Sequence, residues 1–263
     1  MERSPEDFVR KSIRHELRTL TSIVAGWEDL EEDGADADFG HISEFLKSTG
    51  SDAAGVIRET RSRYPLEENI RASASYIRGQ LEEDAYQSET GRTHATEIVH
   101  LLDGAADLLS ALNGEDPGTI QMQEVMAPFE DDVTDIDYRG HRNEAVSGNK
   151  GYWIPLNTLI GNAEDHAGPE ADIYGEVREA DDALVLTLWD DGPGIEAMDA
   201  TYDTLDQLWE EGASSGDGGF GLYMAKTVFD TYGGGIDFDR EMMEEDGVGC
   251  AYTIELPRKA YGT

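Results

Sequence analysis

Eight residues, Ala183–Asp190 (ALVLTLWD), constrain the fold more than any other part of the chain. Leu184, Leu186 and Leu188 alternate with Val185, Thr187 and Trp189, so an extended segment here is apolar on both faces and belongs inside a sheet. Asp190 therefore ends a buried strand. A carboxylate at that place only accepts hydrogen bonds, which suits a donor such as the amino group of adenine. Gly192 and Gly194 follow in the turn DGPG and let the backbone come close to a flat ring. Taken alone, an ordinary tight turn accounts for the same residues.

Two further stretches gain meaning from their positions. In 159–166 (LIGNAEDH) and just before it, Leu156, Leu159, Ile160 and Ala163 recur at helical spacing and form a buried stripe with Asn162 beside it. The Asn162 carboxamide offers a neutral oxygen to Mg²⁺, an ion that takes few protein oxygens when a triphosphate supplies others. Downstream, Gly216, Gly218, Gly219 and Gly221 interrupt a polar run before Leu222, Ala225, Val228, Phe229 and Tyr232 resume helical spacing. A glycine loop thus delivers a helix N-terminus, whose free N–H groups attract phosphate. Each pattern is weak by itself; the three in this order read as an ATP pocket.

Near the N-terminus, Ile13, Leu17, Leu20, Val24 and Trp27 recur at intervals of four and three, the stripe of a bundle helix. His15 lies two positions from both Ile13 and Leu17, about 200° round the helix from each, hence on the solvated side. A second helix, over 93–112, carries Ile98, Leu102, Ala105, Leu109 and Leu112 in the same rhythm. Two such stripes pack antiparallel, and a two-fold dimer completing a four-helix bundle covers the apolar surface that one hairpin leaves open.

On these residues the chain resembles the GHKL ATPase superfamily, and within it the histidine protein kinases, over about residues 121–257. The resemblance is carried by Asn162, by the D-x-G-x-G turn of Asp190, Gly192 and Gly194, and by the loop of Gly219 and Gly221. The segment Leu208-Trp209-Glu210 and a closing strand ending Ile254-Glu255-Leu256-Pro257 also match. At the other end, His15-Glu16-Leu17-Arg18-Thr19 is similar to a phosphoacceptor box.

The implied fold is α+β: a helical hairpin, a four-helix bundle as a homodimer, followed by an α/β sandwich whose mixed sheet packs on helices. Residues 1–114 would form the dimerisation and histidine phosphotransfer domain with an extended insertion at 31–91, and 119–260 the ATP-binding catalytic domain. The implied activity is autophosphorylation of His15 from ATP with Mg²⁺, then transfer to the aspartate of a response-regulator receiver domain. Glu16 is the implied general base, and Thr19 positions water for dephosphorylating the partner. Asn162 is the implied metal ligand; with His166, Asp190, Gly192, Gly194, Gly219, Gly221 and Leu222 it holds the nucleotide. The chain departs from the family pattern at Leu20, where a proline is usual, at Asp165, where a basic residue is usual, and at Thr158, which replaces an asparagine. A GHKL regulator that phosphorylates a partner serine, or switches with nucleotide without using His15, is the alternative.

Segment 31–91 reads as helix in pieces, with Ile42, Phe45 and Leu46 in one amphipathic stretch and Ile70, Tyr76, Ile77 and Leu81 in another. Tyr64-Pro65 breaks the pattern between them. The run 113–118 (NGEDPG) reads as a linker. No apolar run reaches the roughly 20 residues of a membrane span, and the first residues lack an apolar signal core, so a cytoplasmic protein without membrane insertion is expected. Cys250 is the single cysteine, which excludes an intramolecular disulfide. His41, His94, His100 and His141 lack metal-like spacing. The net charge of -37 comes from 57 acidic against 20 basic residues, dispersed over the chain, which disfavours nucleic acid and anionic lipid as partners. Such dispersed acidity is a halophile's solubility device and points to a haloarchaeal source. Salt then screens the self-repulsion. Thermal unfolding followed by circular dichroism should show a midpoint that climbs as KCl is raised from about 0.1 M towards molar concentrations; a midpoint indifferent to salt would remove this account of the charge.

Overall fold

The structure is a computed structural model that describes residues 4, 5, 8, 9, 11, 12, 66–82, 89–168, 171–194, 205–210 and 220–258. The expected acceptor segment with His15, Glu16 and Thr19 lies outside these residues, as does Gly219. The chain divides into two compact units, Met1–Asn113 and Gly114–Thr263.

In the first unit, α1 (Leu66–Glu82) and α2 (Glu89–Leu112) are the two long helices among the described residues. Helix α1 starts directly after Pro65 and buries Ile70, Ala74 and Ile77, one stripe at helical spacing. In α2 the stripe of Ile98, Leu102, Ala105 and Leu109 is buried as expected, and Val99, Leu101, Ala106 and Leu108 broaden it beyond a coiled-coil seam. Helix α2 begins at Glu89 rather than at Thr93. Arg71 binds Asp107 at 2.9 Å and Arg78 binds Asp103 at 2.8 Å. Lower numbers meet higher ones, so the helices run antiparallel. These partly exposed pairs contribute little stability and mainly fix register. The described helix packed on α2 thus comes from segment 66–82, within the region expected as an insertion, while the heptad segment 13–27 lies outside the described residues.

The second unit runs β1 (Thr119–Gln121), α3 (Met122–Met126), β2 (Asp135–Asp137), β3 (Ala145–Ser147), α4 (Trp153–Ala167), β4 (Ile173–Ala180), β5 (Ala183–Asp190), α5 (Gly221–Thr231), β6 (Gly235–Phe238) and β7 (Ala251–Pro257). A five-stranded sheet has the order β2-β4-β5-β7-β6, with β2 parallel to β4 and every other pair antiparallel; β1 and β3 form a separate ribbon. The architecture is α+β with a mixed sheet packed on helices.

The doubly apolar strand β5 occupies the middle of that sheet. Leu186 lies opposite Val177 and Ile254, and Leu188 opposite Gly175 and Tyr252, on the face that meets α4. Helix α4 contributes Ile154, Leu156, Leu159, Ile160 and Ala163 to this core, and α5 contributes Met224, Ala225, Val228 and Phe229. The C-terminal end of α5 is pinned to the approach to α4. The Tyr232 hydroxyl donates to Asn149 Oδ1 at 2.6 Å, and the Tyr152 and Tyr232 rings lie 4.5 Å apart. Gly151 makes room for this contact, since a Cβ there would sit 1.9 Å from the Tyr232 oxygen.

Leu186 has no exposed surface. Leu186→Ala should cost about 2–5 kcal/mol, because the cavity is enclosed by helix and neighbouring strands. Urea unfolding measures this, and a loss below about 1 kcal/mol would mean that the centre of the sheet is not the core.

Candidate functional site

The end of β5 delivers Asp190 into a cleft lined by Leu159, Ile160 and Ala163 of α4, by Ile173, Leu188, Trp189 and Tyr252 of the sheet, and by Cys250 just ahead of β7. Its side chain is almost fully buried, with a relative exposure of 4%. Such a carboxylate needs partners. Oδ1 accepts from the Gly192 N–H at 3.0 Å and Oδ2 from the Cys250 N–H at 3.3 Å. The Asp190 backbone pairs with the same strand: its N–H donates to the Cys250 carbonyl at 3.0 Å, and its carbonyl accepts from the Gly249 N–H at 2.7 Å. With one backbone donor on each, the carboxylate oxygens retain capacity for a further donor. Burial pushes the Asp190 pKa above its ordinary 3.8, against the lowering effect of the Gly192 and Cys250 N–H groups.

Glycine keeps the carboxylate uncovered. A Cβ on Gly249 would lie 2.1 Å from Asp190 Oδ1, and one on Gly192 would lie 2.3 Å from the Ala167 Cβ. Gly194 adopts a φ of +76°, a conformation that side chains other than glycine rarely take. The turn is tied to the start of β4, because Asp191 Oδ1 accepts from the Asp172 N–H at 2.8 Å.

Asn162 approaches from α4. It is half-buried, between Leu159 and Ala163 of the same helix. Burial pushes the Cys250 thiol up to about 12 and raises the buried phenol of Tyr252 well above its ordinary range. The Tyr252 ring is held by Phe238 at 5.3 Å and by the edge of Trp209 at 6.4 Å. Trp209 closes the turn Leu205–Trp209, where Asp206 binds Arg240 at 2.5 Å.

The structure therefore brings Asp190, Gly192, Gly194 and Asn162 to one end of the sheet. His166 is exposed in the last turn of α4, and Gly221 and Leu222 open α5, which packs alongside α4; none of these three lines the cleft, and Asn162 stands beside its lining residues Leu159 and Ala163 without being one of them. Thr158, standing where the family has an asparagine, is buried and donates to the Ile154 carbonyl at 3.3 Å, and Asn157 is exposed. Among the described residues no group of three or more His, Cys, Asp or Glu side chains could hold a metal ion, and no helix is long and apolar enough to cross a membrane. Sequence reasoning missed Gly249, Cys250 and Tyr252. The available signal was Gly247-Val248-Gly249 directly ahead of the last strand.

Residues 156–260 match the family of histidine kinase-, DNA gyrase B- and HSP90-like ATPases. The matched span begins in α4 and contains Asn162, Asp190, Gly192, Gly194 and Gly249, so the cleft lies within the residues that match this family. Solved structures that the chain is similar to include the mycobacterial sensor histidine kinase MprB (TM-score 0.42, 22% identity, 54% of this chain and 98% of that chain). The catalytic domain of histidine kinase ThkA gives a TM-score of 0.42 at 18% identity over 53% of this chain and 94% of that chain. The Acinetobacter baumannii histidine kinase AdeS gives 0.41 at 15% identity over 73% of this chain and 97% of that chain. No curated protein matches the chain at a significant level.

The raised Asp190 pKa has a signed consequence for stability. A carboxyl whose folded pKa lies above its unfolded value contributes stability that is fully present below about 3.8 and is lost as pH rises through the folded value. The stability of the wild type minus that of Asp190→Asn should therefore fall as pH rises above about 4. Denaturant unfolding of both proteins over that rise in pH measures the difference, and a rising difference would contradict the burial-dominated environment.

Proposed function

We propose that the chain is an ATP-dependent protein histidine kinase of a two-component pair, acting as a homodimer in the cytoplasm. The observation that supports this best is the buried, glycine-flanked carboxylate of Asp190 at the end of an apolar cleft within a GHKL-type segment. A flat ring with an exocyclic amino group fits such a cleft, because the ring meets aliphatic walls and the amino group finds an acceptor with capacity to spare.

In this mechanism Asp190 selects adenine, and Gly192 and Gly194 keep backbone close to the ring. Asn162 presents a carboxamide oxygen suited to Mg²⁺, which when bound neutralises charge on the triphosphate. His166, Gly219, Gly221 and Leu222 complete the surroundings of the nucleotide, with Gly221 and Leu222 at the start of a helix that favours phosphate. His15 is the nucleophile: neutral imidazole attacks the γ-phosphorus, an N–P bond forms, and the bond from phosphorus to the bridging oxygen breaks to leave ADP. Glu16 accepts the imidazole proton. The phosphoryl group then passes to a carboxylate oxygen of a receiver-domain aspartate and the imidazole is restored. Thr19, four residues on from His15 and on the same helical face, positions water for removal of phosphate from that partner.

Two substitutions separate the parts of this proposal. Incubated with γ-labelled ATP and Mg²⁺, the wild type should take up acid-labile, base-stable label. His15→Gln should take up none while binding ATP as before. Asp190→Asn should weaken ATP binding about 10- to 100-fold, the cost of replacing a charged acceptor. Labelling of a partner serine that survives His15→Gln would favour the alternative regulator, and wild-type affinity in Asp190→Asn would remove the nucleotide assignment.

A further inference from the structure

The chain leaves the sheet abruptly after Asp190, and the ladder between β4 and β5 shows how. The main chain of Asp190 bonds towards β7, so the main chains of its neighbours Trp189 and Asp191 face β4. Trp189 stands opposite Tyr174 and Asp190 opposite Ile173, which makes Asp191 and Asp172 the next pair due to exchange hydrogen bonds.

Half of that exchange is regular: the Asp191 N–H donates to the Asp172 carbonyl at 3.2 Å. The other half is not. The Asp172 N–H donates at 2.8 Å to Oδ1 of the Asp191 side chain, which takes the acceptor place that the Asp191 carbonyl would hold in a continuing strand. The main chain is thereby released to turn at once, and the Gly192 N–H comes back onto Asp190 Oδ1 at 3.0 Å.

Asp172 is itself held. Its Oδ1 accepts from the Thr134 hydroxyl at 2.8 Å and its Oδ2 from the Tyr174 hydroxyl at 3.3 Å. Gly192 also abuts the end of α4, so closely that a Cβ on it would lie 2.5 Å from the Ala167 Cα. The turn is thus clamped between the start of β4 and the end of α4. Asp191 and Asp172 are both exposed, where one hydrogen bond adds little to the stability of the fold. What this bond decides is the direction of the Gly192 N–H, and through it the aim of the buried carboxylate.

We infer that Asp191 is a positioning residue: its carboxylate, standing in for its own carbonyl, sets the turn that aims Asp190 at the exocyclic amino group of adenine. The inference rests on the nucleotide reading proposed above, and adds to it a second carboxylate that acts only through the turn.

The test compares ATP with purine riboside triphosphate, which lacks that amino group, by calorimetry on the full chain after thermal melting has shown that each variant is folded. The wild type should prefer ATP by about tenfold or more, as expected of a hydrogen bond to a charged acceptor. Asp191→Ala should erase most of that preference, weakening ATP about tenfold and purine riboside triphosphate less than about twofold. Asp191→Asn keeps an accepting oxygen and drops the charge, so its preference should stay within about twofold of the wild type. Where Asp191→Ala does not fold, Asp191→Glu, whose oxygens stand one carbon further out, takes its place with the same expectation. An undiminished preference, an equal loss for both nucleotides, or a loss as large in Asp191→Asn would overturn the positioning role. A wild type that binds no ATP, or binds both nucleotides alike, would overturn the adenine reading itself, and this inference with it.

Discussion

The second unit is organised around one buried negative group that it cannot hide from its own backbone. Asp190 ends the central strand, where water cannot solvate it, and its charge is tolerated because two N–H groups, from Gly192 and Cys250, are aimed at it. Those donors impose conditions in turn. The Cys250 N–H is available only if β7 continues its pairing with β5 to this point, and the Gly192 N–H only if the turn folds back at once. Gly249 must lack a side chain because the carboxylate occupies that space. Strand pairing, turn shape and glycine placement are thus fixed together by a single side chain, and the resulting pocket end is rigid before any ligand arrives.

How much of this was legible in the sequence depended on whether the signal was local. The alternation of leucines with Val185, Thr187 and Trp189 placed β5, and the spacing of Leu156, Leu159, Ile160 and Ala163 placed α4; each needed only neighbouring residues. Gly249, Cys250 and Tyr252 lie some 60 positions from Asp190 along the chain, and their relation to it is set by strand register. A carboxylate in one strand says nothing by itself about which glycine will stand opposite.

The helical unit was legible in a different way. The rhythm of Ile98, Leu102, Ala105 and Leu109 located α2, but periodicity names a buried face without naming what covers it. Two candidate partners were present in the sequence, 13–27 and the stretch around Ile70 and Ile77. The wider stripe of α2, extended by Val99, Leu101, Ala106 and Leu108, exceeds what one partner helix needs for a seam. Arg71 and Arg78 then distinguish the register of α1 through the acids at Asp107 and Asp103. In a chain so poor in basic residues, arginines placed against the neighbouring helix are informative, because acids outnumber cations 57 to 20.

The contact of Tyr232 with Asn149 gives α5 one fixed end and one distant end. The helix spans 11 residues, about 16 Å at 1.5 Å per residue, with Gly221 at the far tip. Small angular changes are therefore amplified along its length: a tilt of about 10° around the tyrosine would carry that tip through roughly 3 Å while scarcely disturbing the pivot. Leverage of this kind would re-aim the tip at Phe220 and Gly221 by a water's breadth with the aromatic fulcrum and the opening of α4 left as they are.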